Sequence, residues 1–293
     1  MKFQGCITAL VTPLTDTGEV DYEGLRRNVD FQIMHGVSGL VPLGTTGESP
    51  TIHDDEMDKI IRTVVEQANG RVPAIAGTGT NSTEKTIKYT RQAKSLGADA
   101  VLIVSPYYNK PTQEGLYQHF SAVATAVDIP IIVYNIQGRT GVNIETVTLK
   151  RMAEHRNIVA VKEASGNLSQ MMDVLNELPA EFAVISGDDN LTLPLLSLGG
   201  VGVISVVSNL LPDKVSSMVK YGLEGDFEAA RQIHFELLPF FKAAFIETNP
   251  IPIKAAMNMK GLPAGPCRLP LVKLSPQNED KLRRVVENYK VTI

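Results

Sequence analysis

Two cysteines among 293 residues, Cys6 and Cys267, provide neither a metal-ligand spacing nor a disulfide framework. The five histidines (His35, His53, His119, His155 and His234) are scattered, which leaves a histidine-based metal site with little support. There is no basic tract of the kind that binds nucleic acid and no block of like charge that would make a disordered tail. The net charge is −4, with both signs interspersed. No apolar run approaches a membrane span, and the N-terminus, with its single early lysine, lacks the long apolar stretch of a secretion signal. These absences lead us to expect a soluble protein of a reducing compartment, cytoplasmic by default, that binds neither nucleic acid nor membrane.

What is present is 43% hydrophobic residues, enough for a large core. The length allows two domains, but a single α/β barrel reaches the same size. Short apolar runs alternate with helical patterns. Gly5 to Pro13 reads as a first strand, and Asp21 caps a helix carrying Leu25, Val29 and Ile33 on one side. Further strands are expected at Gly39–Gly44, Val72–Ala76, Ala98–Pro106, Ile129–Tyr134, Ile158–Ser165, Phe182–Ser186 and Gly200–Val207. The second helix is the clearest: acidic Asp54, Asp55 and Glu56 suit its first turn, and Met57, Ile60, Ile61, Val64 and Val65 share one face. Eight β-α units predict a (β/α)8 TIM barrel. An open doubly wound sheet is the alternative, without a G-x-G-x-x-G turn to support it. The barrel is expected over residues 1–210, with its last helix continuing to about 224. A C-terminal helical appendage over 225–293 follows, its final helix opening with Ser275 as N-cap and Pro276.

The segment Ile158-Val-Ala-Val-Lys-Glu-Ala-Ser165 stands out. A lysine seldom occupies an apolar strand, because desolvating an ammonium is costly. Burial lowers a lysine pKa towards neutrality, and a neutral amine can attack a ketone to form a Schiff base. The plainer alternative is a strand-end lysine whose tip reaches water. In a barrel, active sites lie at the carboxyl ends of strands, and several such ends carry unusual residues. Gly44-Thr-Thr-Gly-Glu48 could present backbone N–H groups to a carboxylate or phosphate, or be only a turn. Tyr107, Tyr108 and Tyr134 could serve as a proton relay or as ordinary amphipathic filler. Arg139 could bind a substrate carboxylate or make a surface ion pair. Asp188 and Asp189 first suggest a divalent metal, but with no third ligand they more often cap the following helix. Together the residues point to a Schiff-base aldolase or lyase acting on a small 2-oxo acid, with the protonated imine as electron sink and no metal required.

Several long motifs then carry a resemblance. They are Gly-Thr-Thr-Gly-Glu-Ser at Gly44–Ser49, Pro-Tyr-Tyr-Asn-Lys-Pro at Pro106–Pro111, and Glu-Gly-Leu-Tyr-Gln-His-Phe at Glu114–Phe120. Tyr-Asn-Ile-Gln-Gly-Arg-Thr-Gly at Tyr134–Gly141 and Val-Lys-Glu-Ala-Ser-Gly-Asn at Val161–Asn167 continue the set. Ser-Gly-Asp-Asp at Ser186–Asp189 and Asn-Pro-Ile-Pro-Ile-Lys at Asn249–Lys254 complete it. Over essentially the whole chain the sequence resembles the dihydrodipicolinate synthase family of pyruvate-dependent class I aldolases.

The resemblance implies that Lys162 forms a Schiff base with pyruvate and that the resulting enamine attacks L-aspartate 4-semialdehyde, a step towards diaminopimelate and lysine. It implies a proton relay of Thr46, Tyr134 and Tyr108, with Tyr108 reaching in from a neighbouring subunit. The backbone amides of Thr45 and Thr46 would hold the pyruvate carboxylate, Arg139 the carboxylate of the semialdehyde, and Gly187 and Ile204 would line the pyruvate pocket. No cofactor beyond the covalent pyruvate is implied, and a homotetramer built as a dimer of dimers is. Sibling aldolases for N-acetylneuraminate or 2-keto-3-deoxy sugar acids, and a non-catalytic 2-oxo-acid-binding protein, are the other readings.

Two departures from the family pattern matter. Gln137-Gly138 stands where Pro-Ser is expected, which should loosen the loop before Arg139. At the implied lysine regulatory site Ser49, Asn81 and Tyr107 match, but Lys85 replaces the glutamate, and Asp54 and Met57 replace two histidines, with His53 one position away. A lysine facing the effector's ammonium reverses the pairing, so little feedback inhibition is expected.

Overall fold

The computed structural model describes residues 3–291. Eight strands pair in parallel: β1 (Gly5–Ala9), β2 (Gly39–Val41), β3 (Ile75–Gly77), β4 (Ala100–Val104), β5 (Ile131–Asn135), β6 (Ile158–Glu163), β7 (Ala183–Ser186) and β8 (Gly202–Ser205). The hydrogen-bonded order runs β2-β1-β8-β7-β6-β5-β4-β3. The two ends of that sheet meet through a thin seam, where Leu40 N–H donates to Pro73 O at 3.0 Å and Gly77 N–H donates to Pro42 O at 2.9 Å. The sheet therefore closes into the expected barrel. Gly77 is required at this join, because a Cβ there would lie 2.1 Å from the Leu43 carbonyl oxygen.

Alternation along the strands makes two cores. Ile7, Val41, Ile75, Leu102, Ile132, Tyr134, Ala160, Ile185 and Ile204 fill the barrel interior. Their neighbours, among them Val101, Val133, Val161 and Val184, pack outward against the helices. An irregularity between Ile131 and Ile132 shifts the register of β5 on β6, so Tyr134 lies beside Lys162. Both side chains then face inward.

The helices follow the expected alternation, with differences that have local causes. Helices α1 (Tyr22–Met34) and α2 (Asp54–Ala68) lie side by side, and Asp21 Oδ1 accepts from Gly24 N–H at 2.8 Å as the cap requires. Next come α3 (Thr83–Ser95), α4 (Gln113–Ala126), α5 (Gln137–Thr140), α6 (Thr146–Met152), α7 (Leu168–Glu177) and α8 (Thr192–Ser197). The expected helix at Leu191–Leu198 opens with a 3-10 turn over Asp189–Leu191. Gln137 and Gly138, before Arg139, lie inside the short helix α5, and the left-handed residue is Gly141, one position after the helix. Gly141 accepts that conformation freely, so the turn closes without strain.

After β8 come α9 (Pro212–Leu223), α10 (Phe227–Ala243), α11 (Ile251–Met259) and α12 (Pro276–Val286). Helix α9 packs on β1, α10 on α9, and α12 on both α10 and α11. Ser275 holds the N-cap position of α12 but makes no side-chain cap bond. Its hydroxyl is taken instead by Glu247, donating to Oε1 at 2.5 Å. Among the described residues no helix is long and apolar enough to cross a membrane.

Candidate active site

Lys162 is 5% exposed and projects into the barrel near its carboxyl end. Its Nζ lies 4.1 Å from the centroid of the Tyr134 ring. Burial is the main cause that brings its pKa down to about 7; Arg139 lowers it further, while Asp189 and Asp188 oppose the shift. An amine in this state is substantially neutral at physiological pH and so nucleophilic. The alternative of a lysine reaching water is excluded. Glu163, the next residue, faces the helix layer, where it accepts from Ser165 N–H at 2.7 Å and from Asn135 Nδ2 at 3.2 Å.

Tyr134 is equally buried, and desolvation pushes its phenol up to about 12, against the lowering effects of Arg139 and the Thr45 side chain. At neutral pH it keeps its proton, available for donation. Gly187 follows β7, and a Cβ there would come within 3.0 Å of Lys162 Cε and 2.7 Å of Ala164 Cβ. Any residue larger than glycine would press on the lysine stem. Ile204 is fully buried on the inner face of β8.

The aspartate pair does something other than cap a helix. Asp189 is buried and reaches across to β8, accepting from Ser205 Oγ at 2.5 Å, Val206 N–H at 3.0 Å and Val207 N–H at 3.2 Å. It thereby braces the strand end that carries Ile204, and burial pushes its pKa up to about 6 despite those bonds. Among the described residues no group of three or more His, Cys, Asp or Glu side chains could hold a metal ion.

Across the barrel, Thr45–Gly47 form a 3-10 turn. Two non-glycine residues in the left-handed region bracket it, Leu43 at φ 58° and Glu48 at φ 57°, each at a cost of roughly 1–2 kcal/mol. The two threonines of this turn differ. Thr45 shares a small cavity of about 30 Å³ with Tyr134. The hydroxyl of Thr46 accepts from Asn249 Nδ2 at 3.0 Å. Of the two, it is Thr45 and not the expected Thr46 whose side chain meets Tyr134. The same Asn249 accepts through its carbonyl from Arg139 Nη2 at 3.1 Å. Asn249, Glu48 and Lys254 join the site although their local sequence implies no role for them; their signal is membership of the Gly44–Ser49 and Asn249–Lys254 motifs.

The remaining candidates lie away from the lysine. Tyr107 is partly buried, whereas Tyr108 is 88% exposed at φ 73°, an unusual conformation and an unusual exposure for an aromatic residue. Asn81 accepts through its carbonyl from Asn109 Nδ2 at 2.9 Å. Ser49 opens a second 3-10 turn, and Met57 is buried in α2. Exposed Asp54 takes Lys88 Nζ at 2.9 Å and Tyr89 Oη at 2.9 Å, which hold its carboxyl below the usual range, with a smaller contribution from Lys85. His53 spends its backbone N–H on Glu56, at 3.0 Å, at the start of α2.

The barrel thus sets a buried lysine of lowered pKa beside a protonated phenol, across from the Thr45–Gly47 turn, in which Gly47 N–H is already taken by Gly44 O at 3.0 Å. The family model of the dihydrodipicolinate synthetase family matches residues 2–289. The 4-hydroxy-tetrahydrodipicolinate synthase of Protochlamydia amoebophila is 54% identical, over 98% of this chain and 96% of its own. That of Methanocaldococcus jannaschii is 52% identical, over 98% of each. A crystal structure of dihydrodipicolinate synthase from Aquifex aeolicus superposes with a TM-score of 0.96 at 49% identity, covering 98% of both chains. Motif, fold and near full-length identity agree, and the chain belongs to the dihydrodipicolinate synthetase family.

Proposed function

We propose that this enzyme condenses pyruvate with L-aspartate 4-semialdehyde to give 4-hydroxy-tetrahydrodipicolinate. The observation that carries the reading is Lys162, buried, lowered to a pKa of about 7 and stacked 4.1 Å from the Tyr134 ring. In the proposed course the neutral amine adds to the pyruvate ketone and water leaves, giving an iminium. The iminium withdraws electrons, a methyl proton departs, and the enamine so formed attacks the aldehyde carbon. The new alkoxide takes a proton, and the product's own amino group displaces Lys162 as the ring closes.

Tyr134 is the group placed to carry protons at the imine, with Thr45 beside it. The backbone amides of Thr45 and Thr46 receive the pyruvate carboxylate, and Gly187 and Ile204 line its pocket. Arg139 receives the second carboxylate. Tyr108 completes the relay of a neighbouring subunit; its exposure and left-handed backbone suit a residue shaped for a partner. A homotetramer, at work in the cytoplasm, is the assembly this implies.

The test is turnover of the two substrates coupled to the downstream reductase, alongside borohydride reduction with pyruvate and localisation of the mass gain. Turnover with an adduct on Lys162 is expected. An adduct without turnover of the semialdehyde would replace this substrate by a sugar-acid or N-acetylneuraminate-type partner. No adduct on the folded protein would leave only a binding protein.

We further propose that free lysine inhibits weakly or not at all. Lys85 brings positive charge to the effector's position, and Asp54, a carboxylate that could offset it, is already engaged by Lys88 and Tyr89. Strong inhibition at micromolar lysine in a steady-state assay would refute this.

A further inference from the structure

The Thr45–Gly47 turn ends in Glu48, whose left-handed backbone needs support from outside the turn. That support is a buried ion pair. Lys254 Nζ donates to Glu48 Oε1 at 2.7 Å, with both side chains almost wholly shielded from solvent, at 2% and 1% exposure. The other two ammonium protons go to Thr12 O at 3.0 Å and Pro266 O at 2.6 Å, so all three donors of Lys254 are used. The second carboxylate oxygen of Glu48 accepts from Arg268 N–H at 2.9 Å.

Burying two charges gains little stability over an apolar pair of the same size, because both must be desolvated. A fully satisfied pair does fix geometry, and this one joins the β2 turn to a helix 206 residues away. Lys254 lies in the first turn of α11, one turn beyond Asn249, which holds Thr46 and receives Arg139. Thr12 also ties the turn directly, its Oγ1 donating to Gly47 O at 2.7 Å. One short stretch of the C-terminal region therefore grips the carboxylate-binding turn at Thr46 and at Glu48.

We infer that Glu48 and Lys254 are positioning residues of the reaction: their pair sets the backbone amides of Thr45 and Thr46 for the pyruvate carboxylate without touching substrate. The inference rests on the function proposed above. It predicts a particular kinetic signature. Misplaced amides weaken pyruvate binding, while the Lys162 amine, on the opposite side of the barrel, keeps its reactivity.

The variants are Glu48→Gln, which keeps shape and an acceptor but not charge, and the double variant Glu48→Gln/Lys254→Met, which leaves no unpaired buried charge. Kinetics, the pH profile and thermal melting are measured on both, with borohydride trapping at low and saturating pyruvate. In folded variants KM for pyruvate is expected to rise about tenfold or more, the order that misplacement of a binding group produces. Trapping at saturating pyruvate and the acid limb of the pH profile should match the parent. Parent-like KM in a folded double variant would overturn the inference and reduce the pair to a structural tie. A fall in kcat with a shifted acid limb and unchanged KM would overturn it too, by moving the effect to Lys162. Should the double variant not fold, Glu48→Gln alone decides by the same criteria. Absence of a pyruvate adduct in the parent protein would instead be failure of the proposed function itself.

Discussion

On the β5–β6 side of the pocket, Lys162 and Tyr134 are held by strand register and apolar neighbours. Across the barrel, the Thr45–Gly47 turn is held by hydrogen bonds from residues as far as 203 and 206 positions along the chain. The first side works by withholding water. Burial is the largest cause that brings the amine towards neutrality and keeps the phenol protonated; Arg139 adds to the first effect, and Arg139 and the Thr45 side chain oppose the second. The second side works by supplying partners, because backbone amides cannot be aimed by desolvation. Chemistry is therefore tuned on one wall and geometry on the other. Arg139 touches both: its charge acts on Lys162 while its guanidinium donates to Asn249.

Substitutions can break this division, starting with the lysine. Lys162→Ala should abolish the pyruvate adduct and lower turnover by roughly 10⁴-fold or more, as loss of a nucleophile does; mass spectrometry after borohydride and the coupled assay report both. Next in size is Tyr134→Phe, for which kcat should fall roughly 10²–10³-fold while saturating adduct yield survives. A parent-like kcat would remove Tyr134 from the relay. Tyr108→Phe should cost about 10-fold or more in the homogeneous oligomer. Mixing it with Lys162→Ala protomers should restore part of the activity, since one class of mixed site then holds both parent residues; no recovery in verified mixed oligomers would argue against sharing.

Arg139→Met sharpens the comparison most finely, because it separates the residue's two effects. KM for the semialdehyde should rise roughly 10-fold or more with loss of the guanidinium. Activity needs the neutral amine, so kcat/KM rises as pH climbs through about 7. Removing a nearby positive charge favours the ammonium, raises the Lys162 pKa and moves that acid limb to higher pH. A limb that stays put, or moves to lower pH, would deny the electrostatic link.

The same division governs what the sequence made legible. Eight apolar runs separated by amphipathic helices announced the barrel, since strand and helix periods are written in neighbouring residues. Lys162 was legible for that reason: one charge in an apolar run stands out locally. Its electrostatic companions were not. The local pattern at Asp189 suggests only a helix cap, because it contains no hint of Ser205 and the amides after it. Ser275 does hold the cap position its sequence implies, yet Glu247 takes its hydroxyl, a partner 28 residues away that no cap rule includes. Thr45 and Thr46 are identical neighbours, and only the curl of the turn decides which one meets Tyr134. Asn249 and Lys254 bound a recognisable motif, but their grip is not legible in it, since nothing local names Thr46 and Glu48 as their partners.

The seam between β2 and β3 adds a consequence of its own. Pro42 and Pro73 contribute carbonyls to it but have no N–H to return, so this join is the most sparsely bonded in the ring. Local opening is cheapest where backbone pairing is thin. Because β2 runs straight into Gly44, opening there would carry the amide wall of the pocket with it. The Leu40 and Gly77 amides thus become reporters: in hydrogen exchange they should trade deuterium sooner than those of β5, and slow when pyruvate fastens the wall.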